Sequence, residues 1–125
     1  MSTVLIVDDQ AVVRAAVREL FESYSGFAVC GEAENGVEAI AKARELKPDL
    51  IILDLSMPLM NGFEAAKALR QILPDVPVFL LTAHHSGATE KAAFDVGICG
   101  VFSKYQDLDS LVTRARGVLA PASKV

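Results

Sequence analysis

The sequence contains no tryptophan, few aromatic residues (6%) and only two cysteines, Cys30 and Cys99, among its 125 residues. The two cysteines lie far apart and form no CxxC motif. Disulfide frameworks and zinc sites need several thiols or imidazoles at close, regular spacing, so both classes are disfavoured. We interpret Cys30 and Cys99 as two small buried residues of a protein in a reducing compartment.

Positive charge is also scarce, because 12 Lys and Arg residues face 16 Asp and Glu residues, for a net charge of -4. An acidic domain repels phosphate groups, which argues against direct nucleic-acid binding and against an anionic membrane surface. No apolar run approaches the length of a membrane-spanning helix. The first run, residues 4–7, is too short and too soon followed by acid to be a signal peptide. We therefore expect a cytoplasmic protein.

The residues that are present suit one globular domain, since 52% are hydrophobic and 22% are charged. Several short runs are almost entirely apolar and do not alternate with polar residues, which is typical of strands buried on both faces of a parallel sheet. These predicted strands are residues 4–7, 50–53, 78–81 and 100–102. A less apolar segment, residues 27–31, is predicted to be an edge strand.

Segments with apolar residues at helical spacing separate the predicted strands. The predicted helices are residues 12–21, 37–46, 63–73, 87–96 and 108–119, and the fourth is rich in alanine and expected to pack loosely. In the first helix, Val12 belongs to the apolar stripe and Arg14 to the opposite side. Five strand–helix repeats predict an α/β fold, a single doubly wound parallel sheet with helices on both faces. We predict one domain over residues 1–119, followed by a tail or the start of a linker at 120–125.

Polar residues stand where the predicted strands end, which is where open parallel sheets bind ligands. The first strand ends in Asp8 and Asp9, the third in Asp54, the fourth in Thr82 and the fifth in Lys104. Three carboxylates, one hydroxyl and one ammonium are therefore expected at one edge of the sheet.

Such a cluster needs a cation. Two like charges about 4 Å apart repel by roughly 4 kcal/mol at an effective dielectric constant of about 20. Mg²⁺ prefers carboxylate oxygens and phosphate, and an ammonium suits a phosphoryl oxygen. An aspartate beside both can form an aspartyl phosphate. The alternatives are that Asp8 and Asp9 cap a helix, that Thr82 caps the next helix, and that Lys104 is a solvated loop lysine.

Four segments together carry a family resemblance. They are Asp8-Asp9, Asp54-Leu-Ser-Met-Pro58 running to Asn61-Gly62, Leu81-Thr82-Ala83, and Lys104 after Gly100-Val-Phe-Ser. In this order and at these intervals the chain resembles receiver domains of two-component response regulators over residues 4–119, most of all those of the NarL/FixJ/LuxR type. The resemblance implies a flavodoxin-like (βα)5 fold with strand order 2-1-3-4-5. That order would place the two cysteines at opposite edges of the sheet.

The resemblance also implies roles for the residues at this edge. Asp54 would be the phosphoryl acceptor, Thr82 the switch hydroxyl and Lys104 the counter-ion of the phosphoryl group. The implied ligands of Mg²⁺ are Asp9 and Asp54 directly, Asp8 largely through water, and the backbone carbonyl of Ser56.

The resemblance further implies a set of partners. A sensor histidine kinase would supply the phosphoryl group, and the face made by the fourth helix, fifth strand and fifth helix would pass the signal on. Two further partners fit the resemblance, a second copy of the chain in a homodimer and a fused helix-turn-helix output domain controlling transcription. No such domain lies within these 125 residues, so we expect either the receiver half of a longer regulator or a receiver that stands alone. The domain would be a switch and not an enzyme.

There are three rival interpretations, and the sequence argues against the first two. A haloacid dehalogenase-type enzyme needs an aspartate where Ser56 stands, and an FMN-binding flavodoxin needs a phosphate-binding loop where this chain has Asp8-Asp9-Gln10. The third rival is a degenerate receiver that binds partners without being phosphorylated. It rests on two departures from the family pattern: Tyr105 follows the lysine in place of proline, and Val101 stands where many receivers have an aromatic residue. The neighbouring Phe102 is expected in the core.

Overall fold

The structure is a computed structural model that describes residues 1–106 and 108–119. Five strands alternate with five helices, as the sequence predicts. They are β1 (Ser2–Val7), α1 (Ala11–Glu22), β2 (Phe27–Ala33), α2 (Gly36–Leu46), β3 (Leu50–Asp54), α3 (Gly62–Ile72), β4 (Val78–Thr82), α4 (Gly87–Asp95), β5 (Gly100–Ser103) and α5 (Leu108–Leu119). The tail predicted at 120–125 lies outside the described residues. Within the described ranges, no helix has both the length and the apolar character that crossing a membrane requires.

The strands form one parallel sheet in the order β2-β1-β3-β4-β5, which confirms the predicted doubly wound topology. The edge position predicted for the second strand is also confirmed. Cys30 lies on β2 and Cys99 directly precedes β5, so the two residues lie at opposite edges of the sheet. Both are free thiols, as their positions require. The prediction that both are buried was wrong: Cys30 is only partly buried and Cys99 is exposed, because each lies at an outer strand of the sheet.

The central strands are covered on both faces, which explains their continuous apolar sequence. Side chains of a strand alternate between the two faces of the sheet. On β1, Leu5 and Val7 pack in the cluster that contains buried residues of α2, α3 and α4. The alternate residues Val4 and Ile6 pack in a second cluster with buried residues of α1 and α5. Every residue of β3 and β4 is buried, so these strands have no polar face.

The burial of two helices tests the sequence prediction, which is wrong for Val12 of α1 and agrees with the structure for α4. In α1 the buried residues are Val17 and Phe21, whereas Val12, predicted on the apolar stripe, is 82% exposed. That prediction was wrong because no described element covers the first turn of α1 on that side. In α4 only Ala93 is buried, which agrees with the loose packing predicted from its alanine content.

Candidate functional site

The structure brings the polar strand ends together at one edge of the sheet. Asp8 follows β1, Asp54 ends β3, Thr82 ends β4 and Lys104 follows β5. These four residues are buried, with exposures between 0% and 8%, whereas Asp9 is exposed. Buried charged groups are costly unless they are paired, so this edge differs chemically from the rest of the interior.

Lys104 is the cation at the centre of this group. Its Nζ lies 3.0 Å from Asp54 Oδ1 and 3.1 Å from Asp8 Oδ2, and it donates to Gln10 Oε1 at 3.3 Å. Its backbone N–H donates to the Thr82 carbonyl at 3.0 Å, which fixes the start of the side chain. The solvated-loop alternative for Lys104 is therefore wrong.

Asp8, Asp9 and Asp54 offer carboxylate oxygens close enough together to hold one metal ion. One carboxylate oxygen from each lies within 4.8 Å of the other two. Asp54 Oδ2 is buried without a hydrogen-bond partner among the described residues, and Asp8 Oδ2 has the ion pair with Lys104 but no hydrogen bond. Asp8 Oδ1 accepts from the Gln10 N–H at 2.8 Å and does not cap α1, whose N-cap is Gln10. Buried carboxylate oxygens without donors fit a small, hard cation such as Mg²⁺.

The electrostatics agree with this fit. Burial, together with the charge of Asp8, raises the pKa of Asp54 to about 6 against the opposing effect of Lys104. Burial also raises the pKa of Asp8. Burial lowers the pKa of Lys104, but its hydrogen bond with Asp54 and the charges of both carboxylates outweigh this, so its pKa is raised. One ammonium therefore does not compensate the acidic cluster fully, and a dication would.

Thr82 lies at the same edge but its hydroxyl is engaged elsewhere. Thr82 Oγ1 accepts from the His84 N–H at 3.2 Å and lies 3.4 Å from the His84 carbonyl. The helix-capping alternative for Thr82 is wrong, because α4 is capped by Ser86, whose hydroxyl accepts from the Thr89 N–H. The structure thus groups Lys104 with the aspartates and leaves the Thr82 hydroxyl bonded to the β4–α4 loop.

The loop after β3 is packed closely against the end of that strand. The Gly62 N–H donates to the Leu55 carbonyl at 2.7 Å, and a Cβ at position 62 would lie 2.6 Å from the Asp54 carbonyl oxygen. Only glycine fits so close an approach. Asn61 then caps α3 in a capping box with Glu64. Ser56, whose carbonyl is an expected metal ligand, lies in this loop and is exposed.

Sequence reasoning missed two residues at the site. The sequence assigns Gln10 no role beyond its place in the segment Asp8-Asp9-Gln10, yet its side chain accepts a hydrogen bond from Lys104, 94 positions away. Arg14 was assigned to the polar side of that helix, yet it donates to the Asp8 carbonyl at 2.6 Å. No spacing rule marks either contact, because both depend on how α1 packs beside the strand ends.

Comparisons with known proteins agree with this geometry. Residues 4–116 match the response regulator receiver domain family. A Pseudomonas aeruginosa protein named as a transcriptional regulator is 42% identical over 120 residues, which cover 96% of this chain and 58% of that protein. The response regulator GacA of Pseudomonas viridiflava is 34% identical, over 96% of this chain and 56% of its own length. The chain therefore spans between half and three fifths of these relatives.

Solved structures show the same likeness. A two-component response regulator of the LuxR family from Aurantimonas superposes with a TM-score of 0.91 at 33% identity, covering 97% of this chain and 86% of that one. CheY in a CheX–CheY–BeF3–Mg complex from Borrelia burgdorferi superposes at 0.87 with 25% identity, covering 94% and 88%. With its matched family, its strand order and its acidic edge, the chain belongs to the receiver domains of response regulators.

Proposed function

We propose that this receiver domain accepts a phosphoryl group on Asp54 from a phosphohistidine of a sensor histidine kinase, with Mg²⁺ bound at the acidic cluster. One observation carries the proposal: Asp54 is a buried carboxylate with one oxygen on Lys104 and the other without a hydrogen-bond donor. A buried carboxylate oxygen without a donor is costly, and a bound cation or phosphoryl group would compensate that cost. The expected metal ligands are Asp9, Asp54, Asp8 through water, and the Ser56 carbonyl.

The chemistry assigned to this chain is positioning and charge compensation. A carboxylate oxygen of Asp54 forms a bond to phosphorus while the bond from phosphorus to the histidine nitrogen breaks. With a pKa raised to about 6, Asp54 is mostly ionised at neutral pH and able to attack. Lys104, 3.0 Å away, supplies a charge-assisted hydrogen bond to the transferred oxygens. Bound Mg²⁺ would neutralise charge on the phosphoryl oxygens and the acidic cluster.

The switch follows from the charge that arrives. A phosphoryl group adds about -1.5 to -2 charges and three acceptor oxygens. To reach them, the Thr82 hydroxyl must leave the His84 backbone, which alters the β4–α4 loop. Only Ala93 of α4 is buried, so little apolar area opposes a shift of that helix. We therefore expect the face formed by α4, β5 and α5 to change its conformation. The added charge is local, but it shifts the equilibrium between two conformations of this region.

The departures from the family pattern bear on this switch. Val101 is buried, and Phe102 is buried against Phe79 with ring centroids 5.1 Å apart. Tyr105 is 72% exposed at the same end of β5. No aromatic side chain stands at position 101 to follow a movement of Thr82. These departures are what favours the second candidate, a receiver that binds partners without phosphorylation.

The matched relatives bear on the output and the partners proposed for this domain. Because the chain spans less than three fifths of the length of matched regulators, we propose that the domain controls a helix-turn-helix output domain and transcription, with homodimers as a further expectation. The acidic domain itself is not expected to bind nucleic acid. Two free cysteines support a cytoplasmic location.

Intact-mass spectrometry after incubation with acetyl phosphate and Mg²⁺ tests the proposal. We expect one phosphoryl adduct on the wild type and none on Asp54→Asn or in EDTA. An adduct that persists on Asp54→Asn would refute the assignment of the acceptor. No adduct under any condition would favour the phosphorylation-independent binding module.

A further inference from the structure

Arg14 lies within α1 beside the acidic cluster, and its side chain is only 13% exposed. Its Nη1 donates to the Asp8 carbonyl oxygen at 2.6 Å, and its Nε donates to Glu32 Oε1 at 2.9 Å. Its Nη2 lies 3.8 Å from Glu34 Oε1. Two guanidinium nitrogens therefore donate hydrogen bonds and the third forms a longer ion pair, and together they tie α1 to the ends of β1 and β2.

The bond to Asp8 fixes the backbone that presents Asp9. The Asp8 N–H donates to the Ala33 carbonyl at 3.0 Å, and the Asp8 carbonyl accepts from Arg14. That carbonyl belongs to the peptide unit joining Asp8 to Asp9. The Asp9 side chain is exposed and has no hydrogen bond or ion pair within the described residues. Its direction therefore depends on the peptide that Arg14 holds.

We propose that Arg14 is a positioning residue for the divalent-cation site. It holds the Asp8–Asp9 peptide so that the Asp9 carboxylate stays within reach of Asp8 and Asp54. The guanidinium itself bonds a backbone carbonyl and not the carboxylates of the cluster. The inference rests on the Mg²⁺ site of the proposed function. It adds Arg14 to that site as a residue that orients a ligand without binding the metal itself.

Arg18 provides a matched control on the same helix. Its Nε donates to Glu32 Oε2 at 2.7 Å, and its Nη1 donates to Glu22 Oε2 at 3.0 Å. It shares the Glu32 carboxylate with Arg14 but makes no contact with Asp8. Comparing the two arginines separates loss of the ion-pair network from loss of the carbonyl bond.

The test is the Mg²⁺ dissociation constant, measured by calorimetric titration at a temperature where circular dichroism shows each variant folded. Removing a residue that orients a metal ligand typically costs 10- to 100-fold in affinity. We expect Arg14→Gln to raise the dissociation constant about 10-fold and Arg18→Gln to leave it within about twofold of wild type. Arg14→Lys, which keeps a charged donor, should restore part of the affinity.

A dissociation constant for Arg14→Gln equal to that of wild type would overturn the inference. So would an equal rise for Arg18→Gln, which would assign the effect to the ion-pair network. If Arg14→Gln does not fold, Glu32→Gln provides the test, since it removes the carboxylate that both arginines bind but spares the bond from Arg14 to Asp8. An unchanged dissociation constant for Mg²⁺ supports the inference, and a 10-fold rise refutes it. A wild type that binds no Mg²⁺ would instead refute the proposed function on which the inference rests.

Discussion

Lys104 Nζ lies 3.0 Å from Asp54 Oδ1 although β5 and β3, which lead to these residues, do not pair with each other. The strand β4 lies between them, so the lysine side chain reaches across the end of β4 to Asp54. The same ammonium lies 3.1 Å from Asp8 Oδ2. Lys104 thus compensates part of the charge of two buried carboxylates.

Removing that ammonium should destabilise the fold. We expect Lys104→Met to lower the free energy of unfolding by about 3–5 kcal/mol at pH 8, because it leaves Asp8 and Asp54 buried without their cation. The loss should be smaller at pH 5, where Asp54 takes up a proton. Urea denaturation in EDTA, followed by circular dichroism, measures both values.

The matched control is Lys91→Met, which removes a lysine whose side chain is 79% exposed and which pairs with Asp95 on the surface. Such pairs contribute little, so we expect a change within about 1 kcal/mol. Equal losses for the two variants would contradict the structural role of Lys104.

The pKa of Asp54 predicts a pH dependence of stability without metal. The pKa is about 6 in the folded state against the ordinary value of 3.8, so the folded state binds more protons between these values. The free energy of unfolding should therefore fall as pH rises from 4 to above 6, by about 3 kcal/mol in total. In EDTA, Asp54→Asn should be more stable than wild type by about that amount at pH 8 and equal to it near pH 4.

Asp75→Asn is the control for this comparison. Asp75 is exposed in the loop before β4, near the amino ends of the strands and so away from the acidic cluster at their carboxyl ends. Its stability should follow that of the wild type across the whole pH range. A wild type whose stability rises between pH 4 and 7 relative to Asp54→Asn would show that pairing with Lys104 outweighs burial.

Divalent cations should stabilise the wild type. Binding only to the folded state adds about 2.7 kcal/mol at a concentration 100 times the dissociation constant, so millimolar Mg²⁺ should raise the melting temperature. The rise should be much smaller for Asp9→Asn, which removes the exposed member of the acidic cluster. Asp75→Asn should respond as the wild type does. No shift with Mg²⁺, calcium or manganese would contradict a metal site.

The sequence predicts the fold, and it predicts which of the residues at the strand ends lie together, because both follow from the pattern of apolar runs. Continuous apolar runs such as that of β3 are compatible only with burial on both faces, and parallel strands bring Asp8, Asp54 and Lys104 to one edge. Contacts that depend on the placement of a helix were not predictable. Helical spacing predicts that Arg14 lies on the surface and that Val12 lies in the core, and both predictions were wrong. Periodicity shows which residues share a face of a helix, but not which turns of that face pack against the sheet.

The two aromatic residues near Lys104 should respond differently to substitution. Phe102 is buried against Phe79, so Phe102→Ala should lower the free energy of unfolding by about 3–5 kcal/mol, the usual loss for a buried ring. Tyr105 is 72% exposed, so Tyr105→Ala should change it by no more than about 0.5 kcal/mol. Urea denaturation of both variants distinguishes the roles, and phosphorylation by acetyl phosphate should survive Tyr105→Ala. A loss of several kcal/mol for Tyr105→Ala would mean that the tyrosine, and not Phe102, is the packed aromatic at the end of β5.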